Sequence, residues 1–370
     1  MNLQILSKNV RRLRTAKRLS QRALAETAAL SLPAIKNVEL AKSEPRMRTI
    51  QAIVKALDVK VQDLFQPVRE LSTVRFRSAK RIQNRENILA EVARRLDEFN
   101  YLEMILNKAK PFRLSSTRAQ CSRDNLSDAA EICRKKLKLK SAEPIHDICG
   151  LLENAGVKIL PISMVSDSFF GLSVGEEDGG PAVVVNVWER ISVERRIFSA
   201  AHELGHLMLH PEAFDISQVE ESKEEELEAN RFAGHFLMPD DGFWKEWKEA
   251  AGLHFVDRVF KVKRIFRVSY KTVLSRLIEA GEVDNSIWKK FSISYQRRFN
   301  RRLSFREEPV SMNNSEPFGM QRFDFSEDRF SSLAREAVEK NKISLNRGAE
   351  MLRISIDEMQ ELLKDWEAVQ

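Results

Sequence analysis

Hydrophobic positions in the first 66 residues recur every three or four residues, in five short runs. The first run is formed by Leu3, Leu6, Val10 and Leu13. This spacing places the apolar side chains on one face of a helix. Serine and proline residues, which favour helix starts, stand between several of the runs. The pattern therefore predicts a small all-helical domain.

Beyond residue 66 the pattern is first helical and then contains both helices and strands. An apolar stripe at helical spacing runs from Ile88 to Leu106, so residues 67–126 are interpreted as a helical linker. Runs rich in β-branched residues, bounded by glycine and proline, then predict three short strands. These predicted strands are residues 157–161, 171–174 and 181–186.

Two long helical segments follow the strands, with the sequences SVERRIFSAAHELGHLML at 192–209 and EEELEANRFAGHFLMP at 224–239. Strands and helices together predict an α+β domain over residues 127–285. Residues 286–370 begin basic and aromatic, are rich in asparagine, serine and proline at 310–317, and become helical again from residue 326. We expect this C-terminal region to be partly flexible and then helical.

Positive charge is concentrated at the start of the chain. The net charge is +7, yet residues 1–85 hold 19 Lys and Arg against 6 Asp and Glu, so the remainder is net negative. A basic domain beside an acidic body suggests that the first part meets a polyanion such as nucleic acid. A solvated basic surface without a polyanionic partner would give the same counts.

The apolar runs and the cysteines indicate the cellular compartment in which the protein is expected. No apolar run approaches the roughly 20 residues that cross a bilayer, and the N-terminus lacks the apolar stretch of a signal peptide. The cysteines Cys121, Cys133 and Cys149 are odd in number and match no disulfide framework or CxxC metal pattern. We therefore expect a cytoplasmic protein without membrane contact, whose thiols are reduced and mostly structural.

The sequence LSQRALAETAALSLPAIKNVELAKSEPRMRTIQAIVKALDVKVQDLF resembles the XRE (Cro/repressor-like) helix-turn-helix domain. The resemblance implies that residues 1–66 bind double-stranded operator DNA, with the helix that follows Ser31 in the major groove. It implies DNA contacts by that helix and its flanks, namely by Gln21, Arg22, Ser31, Lys36, Asn37 and Arg46. The glycine usual after this helix is absent from Glu39-Leu40-Ala41-Lys42. A helical bundle that binds protein is the alternative.

His202 and His206 stand one helical turn apart in the predicted helix 192–209. Two imidazoles so placed can bind one Zn²⁺. Glu203 lies beside them and can take a proton from a water that the metal activates. Two ordinary histidines on a helix would show the same spacing, but the preceding strands and the acidic helix that follows favour the metal. The motif predicts zinc ligands at His202 and His206 and a catalytic base at Glu203.

The sequences AAHELGHLMLHP and LEANRFAGHFLMP resemble the ImmA/IrrE family of zinc metallopeptidases, over residues 127–285. The resemblance implies a zincin-like α+β fold and a third zinc ligand at Glu228. Three neighbouring carboxylates remain alternatives to it, namely Glu224, Glu225 and Glu226. His210 is expected to cap the helix or to support the ligand set from outside it, with direct metal contact as the less favoured role.

Peptidases of the ImmA/IrrE family cut transcriptional repressors, which are often helix-turn-helix proteins. The two resemblances together imply a bacterial or mobile-element regulator that responds to stress by cleaving such a repressor, or itself. Helix-turn-helix domains of this class read palindromes as dimers, so we expect a homodimer. The alternative is a non-proteolytic repressor or antitoxin-like regulator with a structural or ligand-sensing zinc site. The intact Glu203 favours the enzyme.

Overall fold

A computed structural model describes residues 2–17, 19–67, 69–76, 85–214, 222–300, 302–303 and 320–368. The chain divides into two compact units, of which the first comprises Met1–Leu71 with Arg81–Arg95, and the second Ser72–Lys80 with Leu96–Gln370. In the part of the chain that the structure describes, no helix has the length and apolar character needed to cross a membrane.

The first unit contains the predicted bundle of short helices. These are α1 (Leu3–Ala16), α2 (Gln21–Thr27), α3 (Leu32–Glu39), α4 (Met47–Leu57) and α5 (Val61–Phe65). The hydroxyls of Ser20 and Ser31 accept hydrogen bonds from Ala23 N and Ala34 N, which satisfies free amides at the starts of α2 and α3. Apolar side chains of these helices form the core, among them Leu6, Val10, Leu24, Ile35, Ile53 and Leu57. The all-helical prediction for this domain is confirmed.

A buried carboxylate ties the first three helices together. Glu39, at the end of α3, accepts hydrogen bonds from Arg14 Nε at 2.5 Å and from Gln21 Nε2 at 2.7 Å. Ala41 follows with φ of +51°, in the left-handed region that favours glycine. The backbone therefore makes the turn after α3 even though the sequence has no glycine there. The left-handed conformation of Ala41 carries a steric cost, because its Cβ approaches the backbone.

The second unit is built around a four-stranded mixed sheet. Its strands are β1 (Val74–Phe76), β2 (Lys158–Ile162), β3 (Gly171–Val174) and β4 (Ala182–Asn186), in the order β1-β3-β4-β2. β2 and β4 are parallel, whereas β3 is antiparallel to both β4 and β1. Three of the strands were predicted. The fourth, β1, lies within the segment interpreted as a helical linker.

Helices surround this sheet and continue to the C-terminal part of the chain. They begin with α6 (Arg85–Leu106), whose residues are divided between the two units. The others are α7 (Leu126–Lys136), α8 (Ile148–Asn154), α9 (Val193–Leu209), α10 (Lys223–Leu237), α11 (Asp240–Glu249), α12 (Phe255–Phe266), α13 (Tyr270–Glu279), α14 (Ile287–Phe299), α15 (Arg329–Glu339), α16 (Leu345–Leu352) and α17 (Ile356–Ala368). The α+β architecture and the helical C-terminus are confirmed.

Packing extends the second core beyond the limits expected for the α+β domain. The ring of Phe291 on α14 stacks on Tyr270 of α13 and meets Phe260 of α12 edge to face. Phe112, ahead of the expected start at residue 127, lies in the same core. The predicted boundary at residue 285 therefore falls inside a packed unit. The segment 310–317, expected to be flexible, lies outside the described residues.

Candidate metal centre and DNA-binding helix

Helix α9 carries the His202-Glu203-x-x-His206 motif in the interior of the second unit. Its first turn is capped by Ser192, whose hydroxyl accepts a hydrogen bond from Arg195 N. His202, Glu203 and His206 are each 0% exposed. Burial of three polar side chains on one turn of helix is costly unless they bind one another or a ligand.

A glycine inside the motif lets helix α10 approach this turn closely. A Cβ at Gly205 would lie 3.0 Å from Phe232 Cδ1 and 3.3 Å from Ala229 Cα, both on α10. Contacts of this kind are tighter than ordinary van der Waals packing. The absence of a side chain at position 205 thus brings the carboxylates of α10 within reach of the two histidines.

Glu226 of α10 completes a cluster with the two histidines. His202 Nε2 and His206 Nε2 lie 2.9 Å apart. Glu226 Oε2 lies 3.3 Å from the first of these nitrogens, and Oε1 lies 3.0 Å from the second. One ligand atom from each residue lies within 4.8 Å of the others, and no second such group of metal-binding side chains is found among the described residues.

The outer nitrogens of the two imidazoles are held by partners that determine where the protons lie. His202 Nδ1 is 3.0 Å from Asn230 Oδ1, and His206 Nδ1 is 3.0 Å from His210 Nδ1. His210 Nε2 is in turn 2.7 Å from Glu228 Oε2. Carboxylate and amide oxygens only accept, so His202 donates through Nδ1 and His210 through Nε2.

A neutral His210 then presents an Nδ1 lone pair, to which His206 donates its own Nδ1–H. The Nε2 atoms of His202 and His206 consequently carry lone pairs that face each other and the carboxylate of Glu226. Lone pairs and a carboxylate at such distances repel one another unless a cation lies between them. Metal-binding histidines are oriented in this way, with the outer N–H bound to a second group.

Glu228 does not join this cluster, although the sequence resemblance implied that it would. Its Oε2 instead accepts hydrogen bonds from His210 and from Arg123 Nε, the latter at 2.9 Å. Residues two apart on a helix are separated by about 200° of rotation, so Glu226 and Glu228 face different directions. Glu226 shares its face with Asn230, four residues on. That pair of polar residues at helical spacing was the sequence signal for Glu226.

Burial favours the neutral form of His206. It lowers the pKa of His206 well below its ordinary value. Neutral imidazoles and an ionised carboxylate are the forms that coordinate metals.

The unpredicted strand β1 supplies a cation to the carboxylates of α10. Arg75 Nη1 lies 2.5 Å from Glu225 Oε2, and Arg75 Nη2 lies 3.7 Å from Glu226 Oε1. The arginine side chain is buried. Arg75 therefore restricts Glu226 in addition to the two histidines. The sequence analysis missed this residue because a three-residue strand leaves no periodic pattern.

Strand β3 positions Glu203 beside the cluster. Ser173 Oγ donates a hydrogen bond to Glu203 Oε2 at 2.9 Å. Two residues earlier, a Cβ at Gly171 would lie 3.1 Å from Glu203 Oε1 and 2.8 Å from Val184 O. The glycine thus leaves the space that the Glu203 side chain needs. The carboxylate can accept and return a proton from this position.

A cavity of about 550 Å³ lies along helices α9, α10 and α13, and none of the cluster residues His202, Glu203, His206 and Glu226 lines it. Asn230, which binds His202, lines it together with Phe198 of α9 and Leu227 of α10. Trp288 and Arg276 are among the other lining residues. Its volume falls within the range of small-molecule pockets in proteins.

In the first unit, the residues expected to contact DNA lie on or beside α3. Lys36 and Asn37 are exposed on α3, whereas Ser31 caps its start. Arg22 on α2 and Arg46 before α4 are exposed as well. Gln21 differs from the rest, because its amide group donates to the buried Glu39. Its amide nitrogen therefore holds α2 against α3, while the side chain is only half-buried.

Comparisons with known proteins agree with both parts of the chain. Residues 10–64 match the family model described as Helix-turn-helix, and residues 153–277 match the one described as IrrE N-terminal-like domain. No curated protein matches the chain.

Two solved structures align with nearly the whole chain, at low similarity. PlcR of Bacillus thuringiensis, in complex with the peptide PapR7 and DNA, is 10% identical, with 98% of this chain and 96% of that chain covered and a TM-score of 0.18. ComR of Streptococcus suis is 12% identical, with 100% and 96% covered and a TM-score of 0.17. Scores of this size do not establish a shared overall fold. The two family matches, by contrast, confirm that the chain joins an XRE-type helix-turn-helix domain to an IrrE N-terminal-like domain of the metallopeptidase class.

Proposed function

We propose that the protein is a DNA-binding transcriptional regulator and a zinc-dependent endopeptidase, which cleaves a helix-turn-helix repressor or itself. The observation that carries the proposal is the convergence of His202, His206 and Glu226 beside Glu203, in a domain that matches the IrrE N-terminal-like family. Three protein ligands that leave a fourth position open are the composition of a catalytic zinc site.

Glu226 takes the place in this ligand set that the sequence resemblance gave to Glu228. The two imidazole Nε2 atoms and the Glu226 carboxylate are nitrogen and oxygen donors that suit Zn²⁺. Glu228 acts from outside the set, through its hydrogen bond to His210. The donor atoms and their spacing fit the ion.

Glu203 is the base of the proposed reaction. Bound zinc would supply polarisation of the peptide carbonyl and acidification of a water molecule. The Glu203 carboxylate takes a proton from the attacking water and delivers it to the amine that leaves when the C–N bond breaks. Ser173 and Gly171 keep this carboxylate on the side of the metal ligands.

The first unit provides operator binding in this proposal. Lys36 and Asn37 reach bases or phosphates from α3, which lies in the major groove. Arg22 and Arg46 contact phosphates on either side of it, and Ser31 stands at the start of the helix. Gln21 supports the arrangement through Glu39. Two chains bind a palindromic site as a homodimer.

A comparison of two proteins tests the peptidase proposal without a known substrate. Wild type and Glu203→Gln are loaded with zinc and incubated with a peptide library derived from a bacterial proteome, and new N-termini are identified by mass spectrometry. We expect new termini with the wild type and none with the variant. Equal sets of termini, or none from zinc-loaded wild type, would contradict proteolysis and favour the non-proteolytic regulator.

A further inference from the structure

Two of the three cysteines lie next to each other in the second unit. Cys121 Sγ and Cys133 Sγ are 3.9 Å apart. Cys121 follows the 3-10 helix Ser115–Gln120, and Cys133 lies in the second half of α7. Both are free thiols, as is Cys149 on α8. The first two are thus separated by little more than van der Waals contact, although they are 12 positions apart in sequence.

The two thiols differ in their access to solvent and in the rigidity of their backbone. Cys121 is half-buried, whereas Cys133 is 0% exposed. The backbone of Cys121 is extended and lies outside any helix, while Cys133 is fixed within α7. Closing the gap to the roughly 2.05 Å of a disulfide requires about 1.9 Å of movement, which side-chain rotation and the loop at Cys121 can supply.

We propose that Cys121 and Cys133 are a redox-active pair, which a hydroperoxide converts into an intramolecular disulfide with Cys121 as the attacking thiol. The accessible sulfur of Cys121 reacts first with the hydroperoxide. The buried sulfur of Cys133 then attacks the oxidised Cys121 and forms the disulfide. The hydrogen bond with Cys133 also lowers the pKa of the Cys121 thiol, while that hydrogen bond and burial raise the pKa of Cys133. The thiolate, which is the nucleophile, therefore forms at Cys121.

The reaction balances with one peroxide molecule for each pair. The Cys121 thiolate attacks the terminal peroxide oxygen, the O–O bond breaks, and the hydroxide or alkoxide that leaves takes up a proton to become water or an alcohol, so that Cys121 becomes a sulfenic acid. The Cys133 sulfur then loses its proton and attacks Cys121 Sγ. The S–S bond forms, the S–O bond breaks, and a water molecule leaves. The two thiols lose two electrons, which the peroxide gains.

The loop that would move on oxidation also contacts the outer part of the metal centre. Arg123, two residues after Cys121, donates to Glu228, and Glu228 accepts from His210. Disulfide formation therefore acts on the segment that supports the chain of hydrogen bonds behind His206. The disulfide itself does not depend on the proposed peptidase activity, because neither sulfur belongs to the metal cluster.

Trypsin offers a direct test of the pair. Cleavage after Arg118, Arg123 and Arg134 places the two cysteines in separate peptides, AQCSR and DNLSDAAEICR. The full-length protein is treated with hydrogen peroxide, blocked with iodoacetamide under denaturing conditions and digested. We expect the two peptides to be joined and to separate on reduction, with two of the three thiols of each chain lost to titration.

Two variants act as controls. After the same treatment, Cys121→Ser should form no disulfide and should keep both of its remaining thiols. Cys149→Ala should still form the disulfide and should lose both of its remaining thiols. The proposal is overturned if the wild type keeps three titratable thiols. It is also overturned if Cys121 is recovered only as sulfinic or sulfonic acid, or joined to Cys149 or to a second chain.

Discussion

His210 Nε2 lies 2.7 Å from Glu228 Oε2, and the other ring nitrogen of His210 lies 3.0 Å from His206 Nδ1. Glu228 therefore reaches the metal centre through two imidazoles in succession. The carboxylate fixes the tautomer of His210, which fixes that of His206, and so directs a lone pair of His206 towards Glu226. A residue in such a role supports metal binding without coordinating the metal.

Glu228→Gln and His210→Ala should each weaken zinc binding without abolishing it. Groups that orient a ligand histidine contribute roughly 10- to 100-fold to metal affinity. Competition with a chelating dye of known affinity measures the change. Glu224→Gln, an exposed carboxylate on the same helix, is the matched control and should bind as the wild type does. If His210→Ala and Glu228→Gln both bind zinc with wild-type affinity, the hydrogen bonds from Glu228 through His210 to His206 do not support metal binding.

Gly171→Ala should destabilise the second unit and displace Glu203. The added Cβ would lie 2.8 Å from Val184 O and 3.1 Å from Glu203 Oε1, and overpacking of this kind costs about 1–3 kcal/mol. Thermal unfolding followed by circular dichroism measures the loss. Gly252→Ala is the control, because nothing lies within 4 Å of a Cβ there. Equal melting temperatures for the two variants would contradict the close approach of β3 to Glu203.

Glu153 on α8 should make the second unit less stable as the pH rises. Burial, followed by the charges of Glu327 and Asp328, raises the pKa of its carboxyl from 4.5 to about 8. Between these two values the unfolded chain loses the proton and the folded chain keeps it, so the cost to folding grows from pH 4.5 and levels off above pH 8. Each unit of pH contributes about 1.4 kcal/mol at most.

Melting temperatures of wild type and Glu153→Gln at several values between pH 5 and about pH 8 test this effect. The variant keeps the shape of the protonated side chain but cannot ionise. We expect its advantage over the wild type to increase with pH. A difference that stays constant across this range would show that Glu153 has an ordinary pKa.

The double variant Lys36→Ala, Asn37→Ala should lose specific operator binding and keep its zinc. Both side chains are exposed on α3, and the candidate metal centre lies in the other unit. The operator is first selected from random duplexes with the wild type, and binding is then measured by fluorescence anisotropy. Lys55→Ala removes a charge from the far end of α4 and should bind nearly as well as the wild type. If the double variant still binds the operator specifically, α3 is not the recognition helix.

The sequence predicted most of the fold because periodic patterns and capping residues determine it locally. The strand from Gly171 to Val174 and the helix that follows Ser192 have the predicted limits. Strand β1 could not be foreseen, since three residues contain too little alternation and their pairing with β3 depends on contacts far apart in sequence. Ala41 is the opposite case, in which the sequence lacks the expected glycine but the left-handed turn is still present.

The candidate site was predictable on one helix and ambiguous on the other. A spacing of four residues within α9 is enough to place His202 and His206 together. The choice among four carboxylates on α10 depends on the rotation of that helix about its axis, which packing against Gly205 determines. The sequence pattern alone did not resolve that rotation. Arg75 illustrates the same limit, since its approach to Glu226 requires the tertiary structure.

Zinc content, measured by metal analysis after reconstitution and removal of free metal, tests the central claim most directly. The account predicts one zinc per chain in the wild type, in Glu203→Gln and in Glu228→Gln, and a loss of zinc in Glu226→Gln. Retention in Glu226→Gln with loss in Glu228→Gln would assign the third ligand to Glu228. A wild-type chain that binds no zinc would contradict the metal centre as a whole.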